Sequence, residues 1–199
     1  MLSHYLTRAR AKLRKVVCPM DLVCECIPPG SSVFDLGCGT GVLLLELIAK
    51  RGVRQVGGCE TSSSLLLAAR TAVTGKLGAV GQFSESAEPL DCIANFDCIT
   101  LIDVLHHIPK GEQAAYISRV ASTMKPSAKF IIKDIDAASP LVWFNRLHDA
   151  VFSGNGFQEI ACRDAKQLTE RAGLICEHIS FIRRIWYPHY LIVARKAEA

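Results

Sequence analysis

The residues that could do chemistry begin with a glycine-rich run at residues 35–41, Asp-Leu-Gly-Cys-Gly-Thr-Gly. An apolar stretch precedes the run and the leucine-rich residues 42–49 follow it, so the pattern predicts a strand, a tight turn and a helix. Glycine is needed where a backbone turns sharply and approaches a ligand with no Cβ in the way. The start of the helix offers N–H groups to an anion. The run therefore predicts a site for a nucleotide-type cofactor.

The kind of cofactor follows from what this loop lacks. A P-loop needs Gly-Lys-Ser/Thr at its end, and no lysine occurs between Gly41 and Lys50. The dinucleotide fingerprint needs a third glycine or alanine where this chain has Val42. Asp35 would repel a pyrophosphate but attract an ammonium group. S-adenosylmethionine carries an ammonium group, a carboxylate for the loop N–H groups and no phosphate, so it is the predicted cofactor, with S-adenosylhomocysteine as product.

A second acidic position supports this prediction. Residues 54–60 read as a strand that ends in Glu60, whose carboxylate can accept hydrogen bonds from both ribose hydroxyls. NAD sites share this feature. Residues 61–63, Thr-Ser-Ser, are typical caps for a helix that reaches about Val73.

Two histidines follow the fourth predicted strand, residues 98–102. Residues 103–109 read Asp-Val-Leu-His-His-Ile-Pro, and His106 or His107 could act as a general base because imidazole titrates near neutral pH. Either histidine could instead bond the backbone and shape a pocket. A third ligand at suitable spacing is lacking, so no metal site is predicted.

Residues 35–41, Glu60 and residues 96–109 together resemble the class I S-adenosylmethionine-dependent methyltransferases, especially the ubiquinone/menaquinone type that acts on small molecules. The resemblance covers roughly residues 30–196. It implies a Rossmann-like α/β fold with a seven-stranded, mostly parallel sheet in the order 3-2-1-4-5-7-6. Helices should cover both faces, and the last two strands should form an antiparallel hairpin.

The site residues combine these observations with the resemblance. Near the adenine the family often has an acidic residue after the third strand, where this chain offers Ser84 or Glu85. Predicted cofactor contacts are Asp35, Gly37, Cys38, Gly39, Gly41, Glu60, Thr61, Ser84, Glu85, Asp103 and Val104. Predicted acceptor-pocket residues are His107, Asp134, Trp143, Asn145, His148 and His189.

The remaining elements must position these residues. Strands are predicted at residues 79–83, 128–133, 174–181 and 190–195, with a turn at 186–190. Helices are predicted at 111–124, at 139–152 as a lid over the acceptor, and from a capping box at Asp164 to near Gly173. One domain should span residues 1–199, with an N-terminal helical segment at 1–28 and an acceptor-side insertion at 137–160.

Composition limits the partners. Half of the residues are hydrophobic and mean hydropathy is +0.24, yet no apolar run approaches a membrane span. No signal-peptide pattern is visible, so a cytoplasmic location is expected. A net charge of +4 is too small to indicate nucleic-acid binding. The basic, amphipathic residues 1–28 could touch an anionic membrane or simply be a solvated helix face. Oligomeric state cannot be read from the sequence.

The predicted function is in-line methyl transfer from S-adenosylmethionine to a small acceptor. The oily composition favours an apolar or aromatic acceptor, such as a quinone, polyketide or lipid precursor. Two alternatives remain: a non-catalytic S-adenosylmethionine-binding scaffold and, with less support, an NAD-dependent oxidoreductase. The motifs typical of nucleic-acid and protein arginine methyltransferases do not occur after the fourth strand.

Overall fold

The computed structural model describes residues 18–77, 81–87, 91–143 and 158–198. Seven strands form one sheet in the order β3-β2-β1-β4-β5-β7-β6. The first five run parallel, and β7 lies antiparallel between β5 and β6. This order and the C-terminal hairpin confirm the predicted fold. The strands are β1 (Ser32–Leu36), β2 (Gln55–Glu60), β3 (Gln82–Glu85), β4 (Cys98–Ile102), β5 (Lys129–Ile135), β6 (Leu174–Arg184) and β7 (Tyr187–Lys196).

Helices connect the strands. Within the described ranges, no helix is both long and apolar enough to cross a membrane. Two short 3₁₀ turns lie on either side of β4, at Asp91–Asn95 and Leu105–His107. The helices are α1 (Met20–Glu25), α2 (Val42–Arg51), α3 (Ser63–Leu77), α4 (Lys110–Thr123) and α5 (Cys162–Arg171).

Two apolar clusters cover the two faces of the sheet. Side chains of α1, α2 and α3 pack on one face, against residues such as Val33 and Ile131. Side chains of α4 and α5 pack on the other face, against residues such as Phe34 and Ile132. Every residue of β1 and β4 is buried. Burial on both faces explains why these strands read as continuous apolar runs rather than as alternating patterns.

The strand order places a crevice at the carboxyl ends of the parallel strands, between β1 and β4. From β1 the chain winds outward through β2 to β3, and it then returns to place β4 on the other side of β1. Successive connections therefore leave the carboxyl ends of β1 and β4 in opposite directions. Ligands of open α/β sheets bind at such a switch point.

Three predicted strand boundaries are wrong. β5 runs to Ile135 rather than stopping at residue 133, because Asp134 and Ile135 pair with β7. The hairpin turn consists of Ile185 and Trp186, since β7 already begins at Tyr187. β3 occupies Gln82–Glu85 rather than residues 79–83.

The capping box predicted at Asp164 is also wrong. Helix α5 begins at Cys162, and the Cys162 N–H donates to Asp136 Oδ1 at 3.1 Å. An acidic residue just after β5 therefore caps this helix, although it lies 26 residues earlier in the chain. The predicted end is close to the observed one, because Gly173 has a φ of 83° just beyond the last turn.

Two predicted segments fall largely outside the described residues. Residues 1–17 of the N-terminal segment are not described, nor are residues 144–157, which include most of the lid helix predicted at 139–152. At the start of that helix, Ser139 Oγ accepts a hydrogen bond from the Leu141 N–H at 3.3 Å. This bond has the pattern expected of a helix cap.

Candidate cofactor and acceptor site

The glycine run forms a loop between β1 and α2, at the switch point of the sheet. The Gly37 and Cys38 N–H groups both donate to the Cys59 carbonyl at 2.9 Å. Cys59 belongs to β2, so these bonds tie the loop to the end of that strand. They bring the loop beside Glu60, the last residue of β2.

The loop backbone has no room for a side chain at Gly37 and little room for one at Gly41. Gly37 has a φ of 76°, and a Cβ added there would lie 2.5 Å from Val104 Cγ2. Gly41 has a φ of 77°, and its Cβ would lie 3.2 Å from atoms of Ala69 in α3. Only glycine tolerates this conformation at little cost. The geometry fits a bare main-chain cradle, bordered on one side by the segment that follows β4.

Helix α2 directs its N-terminus at this loop. Its N-cap is Gly41, which supplies no side-chain hydrogen bond to the first turn. The first N–H groups of a helix have no partner within the helix, and they lie at the positive end of its dipole. This terminus is suited to a carboxylate, as the sequence predicted.

Glu60 links the loop to the start of α3. Its Oε2 accepts the Gly39 N–H at 3.0 Å, and its Oε1 accepts the Thr61 and Ser62 N–H groups at 2.8 and 3.0 Å. Three main-chain donors thus hold the carboxylate at the rim of the cradle. This fixed position fits the role predicted for Glu60 beside a ribose.

Asp35 lies behind the cradle rather than at its open rim. Its side chain is buried within β1, and Asp35 Oδ1 accepts the Thr100 hydroxyl at 2.6 Å.

Burial raises the pKa of the Cys38 thiol well above its usual range, and the charges of Asp35 and Glu60 add to the effect. Cys38 therefore stays a neutral thiol and contributes its backbone to the loop.

The end of β3 lies next to the end of β2. Glu60 and Glu85 are register partners in this parallel pair, as are Cys59 and Ser84. The exposed Glu85 accepts the Ser63 hydroxyl at 2.8 Å. Ser84 and Glu85 therefore border the side of the cradle on which the adenine was predicted.

A buried ion pair holds the segment after β4. Lys133 is fully buried in β5, and its Nζ lies 2.5 Å from Asp103 Oδ1. The Asp103 N–H also donates to the Lys133 carbonyl at 2.9 Å. Asp103 has a φ of 55°, which is uncommon for a residue other than glycine. The ion pair thus holds a strained residue beside Val104, the side chain that closes on Gly37.

A second acid–base pair lies one residue further along β5 and three residues further along the segment after β4. Asp134 Oδ1 and His106 Nδ1 are 2.6 Å apart, and Asp134 Oδ2 accepts the His106 N–H at 3.1 Å. The Asp134 side chain is 2% exposed and that of His106 is 13% exposed. The carboxylate therefore reaches His106, although the sequence prediction placed it in the acceptor pocket. The exposed His107 lies beside the His106 ring, with centroids 4.1 Å apart.

The other predicted acceptor residues are not gathered into one group. Trp143 is 61% exposed, whereas His189 is buried in β7 and stacks on Tyr187. Ile135, Val142 and Tyr187 form a small buried apolar cluster. Asn145 and His148 lie outside the described residues.

Sequence reasoning missed the partners that hold these groups. The sequence analysis assigned no role to Thr100 or Lys133, and it did not predict the hydrogen bond between Asp134 and His106. One signal was available, because Lys133 and Asp134 directly follow the apolar residues 130–132. Charged residues are rarely buried unless they are paired, so this position already indicated two buried partners.

Comparisons with known proteins agree with this geometry. The family profile described as "Methyltransferase domain" matches residues 4–179. A curated relative, the ubiquinone biosynthesis O-methyltransferase of Xanthomonas axonopodis pv. citri (strain 306), is 32% identical over 111 residues. The match covers 55% of this chain and 45% of that protein, so it spans less than half of the relative's length.

Two solved structures share the fold. The 1,6-didemethyltoxoflavin-N1-methyltransferase of Burkholderia thailandensis superposes with a TM-score of 0.73 at 17% identity, covering 98% of this chain and 87% of that one. Magnesium protoporphyrin IX methyltransferase of Synechocystis PCC 6803 gives a TM-score of 0.67 at 21% identity, with coverages of 88% and 78%. Because the family profile spans most of the sequence, this chain belongs to the class I S-adenosylmethionine-dependent methyltransferases, as its motifs predicted.

Proposed function

We propose that this chain transfers the methyl group of S-adenosylmethionine to a small, apolar or aromatic acceptor by in-line displacement. The observation that carries the proposal is the cradle at Gly37. Its backbone is closed by Val104 and flanked by two carboxylates, with Asp35 behind and Glu60 at the rim. Such a site suits a ligand that carries an ammonium group, a carboxylate and a ribose but no phosphate.

In this assignment each part of the cofactor has its own residues. Asp35 faces the ammonium side, and the backbone of residues 37–41 holds the methionine portion with Asp103 and Val104. Glu60 and Thr61 hold the ribose, and Ser84 or Glu85 the adenine. The bound cofactor supplies an electrophilic methyl group on a sulfonium. Crystal structures of two fold relatives are described with S-adenosylhomocysteine bound, which supports this choice of ligand.

The acceptor is assigned to the side formed by the segment after β4 and by the insertion at residues 137–160. His107, Trp143, Asn145, His148 and His189 remain the proposed residues there, and Asp134 acts there through His106. The apolar cluster of Ile135, Val142 and Tyr187 supports an apolar or aromatic acceptor. The printed names of the relatives, which refer to ubiquinone biosynthesis, a toxoflavin precursor and a protoporphyrin, point the same way.

The work asked of the protein is mainly positioning. The residues of the cradle fix the cofactor, and the lid side excludes water and holds the acceptor in line. Such alignment can supply about 7–11 kcal/mol of the barrier reduction. The two pairs Lys133–Asp103 and His106–Asp134 keep the segment between the two ligands rigid.

Isothermal calorimetry with S-adenosylhomocysteine tests the cofactor site. Glu60→Gln removes the charge of Glu60 with little change of shape. We expect it to weaken binding by roughly 10- to 150-fold, because hydrogen bonds to a charged group contribute about 1.5–3 kcal/mol. Failure of the wild-type chain to bind would reject the methyltransferase function. Equal affinity in wild type and Glu60→Gln would reject only the ribose role.

Glu177→Gln provides a matched control. Glu177 pairs with Arg195 at 2.7 Å, and Arg195 is the register partner of Lys129 at the start of β5. This pair therefore lies at the amino-terminal end of the parallel strands, whereas the cradle lies at their carboxyl ends. The variant loses the same charge and should bind S-adenosylhomocysteine like the wild type. Incubation of the wild type with labelled S-adenosylmethionine and an acceptor panel then separates an enzyme from a non-catalytic binder.

A further inference from the structure

The His106–Asp134 pair has the geometry of a histidine held in one protonation form. Asp134 is 2% exposed, and its two oxygens contact three groups: His106 N–H, His106 Nδ1 and the Ile135 N–H. The two contacts to main-chain N–H groups fix the carboxylate independently of the imidazole. The ring is therefore oriented by a group that is itself held in place.

The contact decides which ring nitrogen carries the proton. An ionised carboxylate can only accept a hydrogen bond, so Nδ1 of His106 must be the donor. In the neutral imidazole Nε2 is then the acceptor, with its lone pair directed away from Asp134. This is the form in which a histidine can take a proton from a substrate.

The position of His106 connects it with the cofactor cradle. His106 lies two residues after Val104, whose side chain closes on Gly37. On the preceding side, Asp103 is fixed to Lys133. Residues 103–106 are thus held to β5 at two points, as a precise catalytic geometry requires. His107 lies in the same segment, but the ring that Asp134 orients is that of His106.

We propose that His106, oriented by Asp134, is the general base that deprotonates the methyl acceptor. The acceptor is then a compound whose nucleophilic atom carries a dissociable proton, such as a phenolic or enolic hydroxyl. This inference rests on the proposed function and names its substrate class. Asp134 is a positioning residue, since it acts through the imidazole.

The acceptor O–H bond breaks and its proton goes to His106 Nε2. The oxygen forms a bond to the methyl carbon while the carbon–sulfur bond breaks, and that electron pair stays on sulfur, which becomes a neutral thioether. Asp134 stabilises the resulting imidazolium. An acceptor atom without a dissociable proton would not need this pair.

The first test reads the tautomer directly. Two-dimensional ¹H–¹⁵N spectra of the histidine rings should place the proton of neutral His106 on Nδ1 in the wild type. Asp134→Asn removes the negative charge that favours a proton on Nδ1, so the fraction of neutral His106 protonated on Nε2 should rise. A wild-type His106 protonated on Nε2 overturns the proposal, and this result needs neither cofactor nor acceptor.

The second test compares two classes of acceptor with labelled S-adenosylmethionine. Catechol and 1-naphthol carry a dissociable proton, whereas quinoline presents a nitrogen without one. We expect the wild type to methylate the phenols. Asp134→Asn should lower kcat for them by about 10²–10⁴-fold, the range of general base catalysis, with KM unchanged. Wild type that methylates no phenol, or Asp134→Asn with wild-type kcat, overturns the proposal.

Two further measurements separate the possible failures. Asp164→Asn removes an exposed carboxylate from α5 and should retain the wild-type kcat. Calorimetry with S-adenosylhomocysteine reports the cofactor site, so lost binding by the wild type rejects the function itself. If Asp134→Asn does not fold, His106→Gln replaces it in the kinetic test, and its phenol kcat should fall over the same range.

Discussion

Replacing Gly37 with alanine tests whether the cradle requires a bare backbone. Gly37 has a φ of 76°, and an added Cβ would lie 2.5 Å from Val104 Cγ2. Holding a non-glycine residue in the left-handed region costs about 1–2 kcal/mol, and overpacking typically costs about 1–3 kcal/mol. We therefore expect Gly37→Ala to lower the free energy of unfolding by about 2–5 kcal/mol. Tm should fall by about 4–20 °C for a chain of this length.

Gly52→Ala is the matched control for this variant. Gly52 has a φ of 57°, but nothing lies within 4 Å of an added Cβ. This variant should therefore lose only the conformational part, about 1–2 kcal/mol, and should bind S-adenosylhomocysteine like the wild type. Both free energies can be measured by urea denaturation, and binding by calorimetry.

A double-mutant cycle isolates the contact with Val104. Val104→Ala removes the methyl groups that the new Cβ would meet, so it should partly rescue Gly37→Ala. We expect a favourable coupling free energy within the range of about 0.5–3 kcal/mol seen for residues in contact. Equal losses in Gly37→Ala and Gly52→Ala, together with no coupling to Val104, would refute the reasoning.

Two further predictions concern ion pairs and can be checked by urea denaturation. Burial raises the pKa of Asp97, but the Lys125 ammonium and the Ser32 N–H and hydroxyl outweigh it and hold this pKa below the usual 3.8. Asp97→Asn should thus lower the free energy of unfolding by about 1.5–3 kcal/mol at pH 7. The difference in unfolding free energy between this variant and the wild type should shrink as the pH falls below 3.8, because the stabilisation is present above that value and is lost as the carboxylate is protonated. A difference that stays constant with pH would contradict this. Asp103→Asn leaves the buried Lys133 without its anionic partner and should lower the free energy of unfolding by about 3–5 kcal/mol. Adding Lys133→Met should restore most of this stability. A double variant as unstable as Asp103→Asn would contradict the role of the ion pair.

The fold was predictable because its signals are local or depend on a short motif. The glycine run and Glu60 lie in continuous segments, where spacing alone predicts strand, loop and helix. The strand order came from the resemblance to a family rather than from periodicity. The turn at the glycine run was predictable for the same reason, since Gly37 needs its positive φ whatever surrounds it.

The parts that were missed depend on contacts between distant segments. The end of β5 was placed too early because Asp134 looks like a loop residue, whereas pairing with Tyr190 keeps it in the strand. The start of α5 was assigned to a local motif at Asp164, yet Asp136 caps the helix from 26 residues away. Neither partner is visible in a window of sequence.

The adjacent residues Lys133 and Asp134 also specify how β5 sits in the sheet. Successive side chains of a strand point to opposite faces, so Lys133 meets Asp103 on one face and Asp134 meets His106 on the other. A slip of β5 by one residue would exchange the faces. A slip in one direction would place Asp134 against Asp103 and Ile135 against His106, and a slip in the other would place Lys133 against His106 and Ile132 against Asp103. Either slip would break both pairs and leave a charged group facing an apolar side chain or a like charge. These two side chains therefore specify the register of β5, because a shift by one residue in either direction is destabilising.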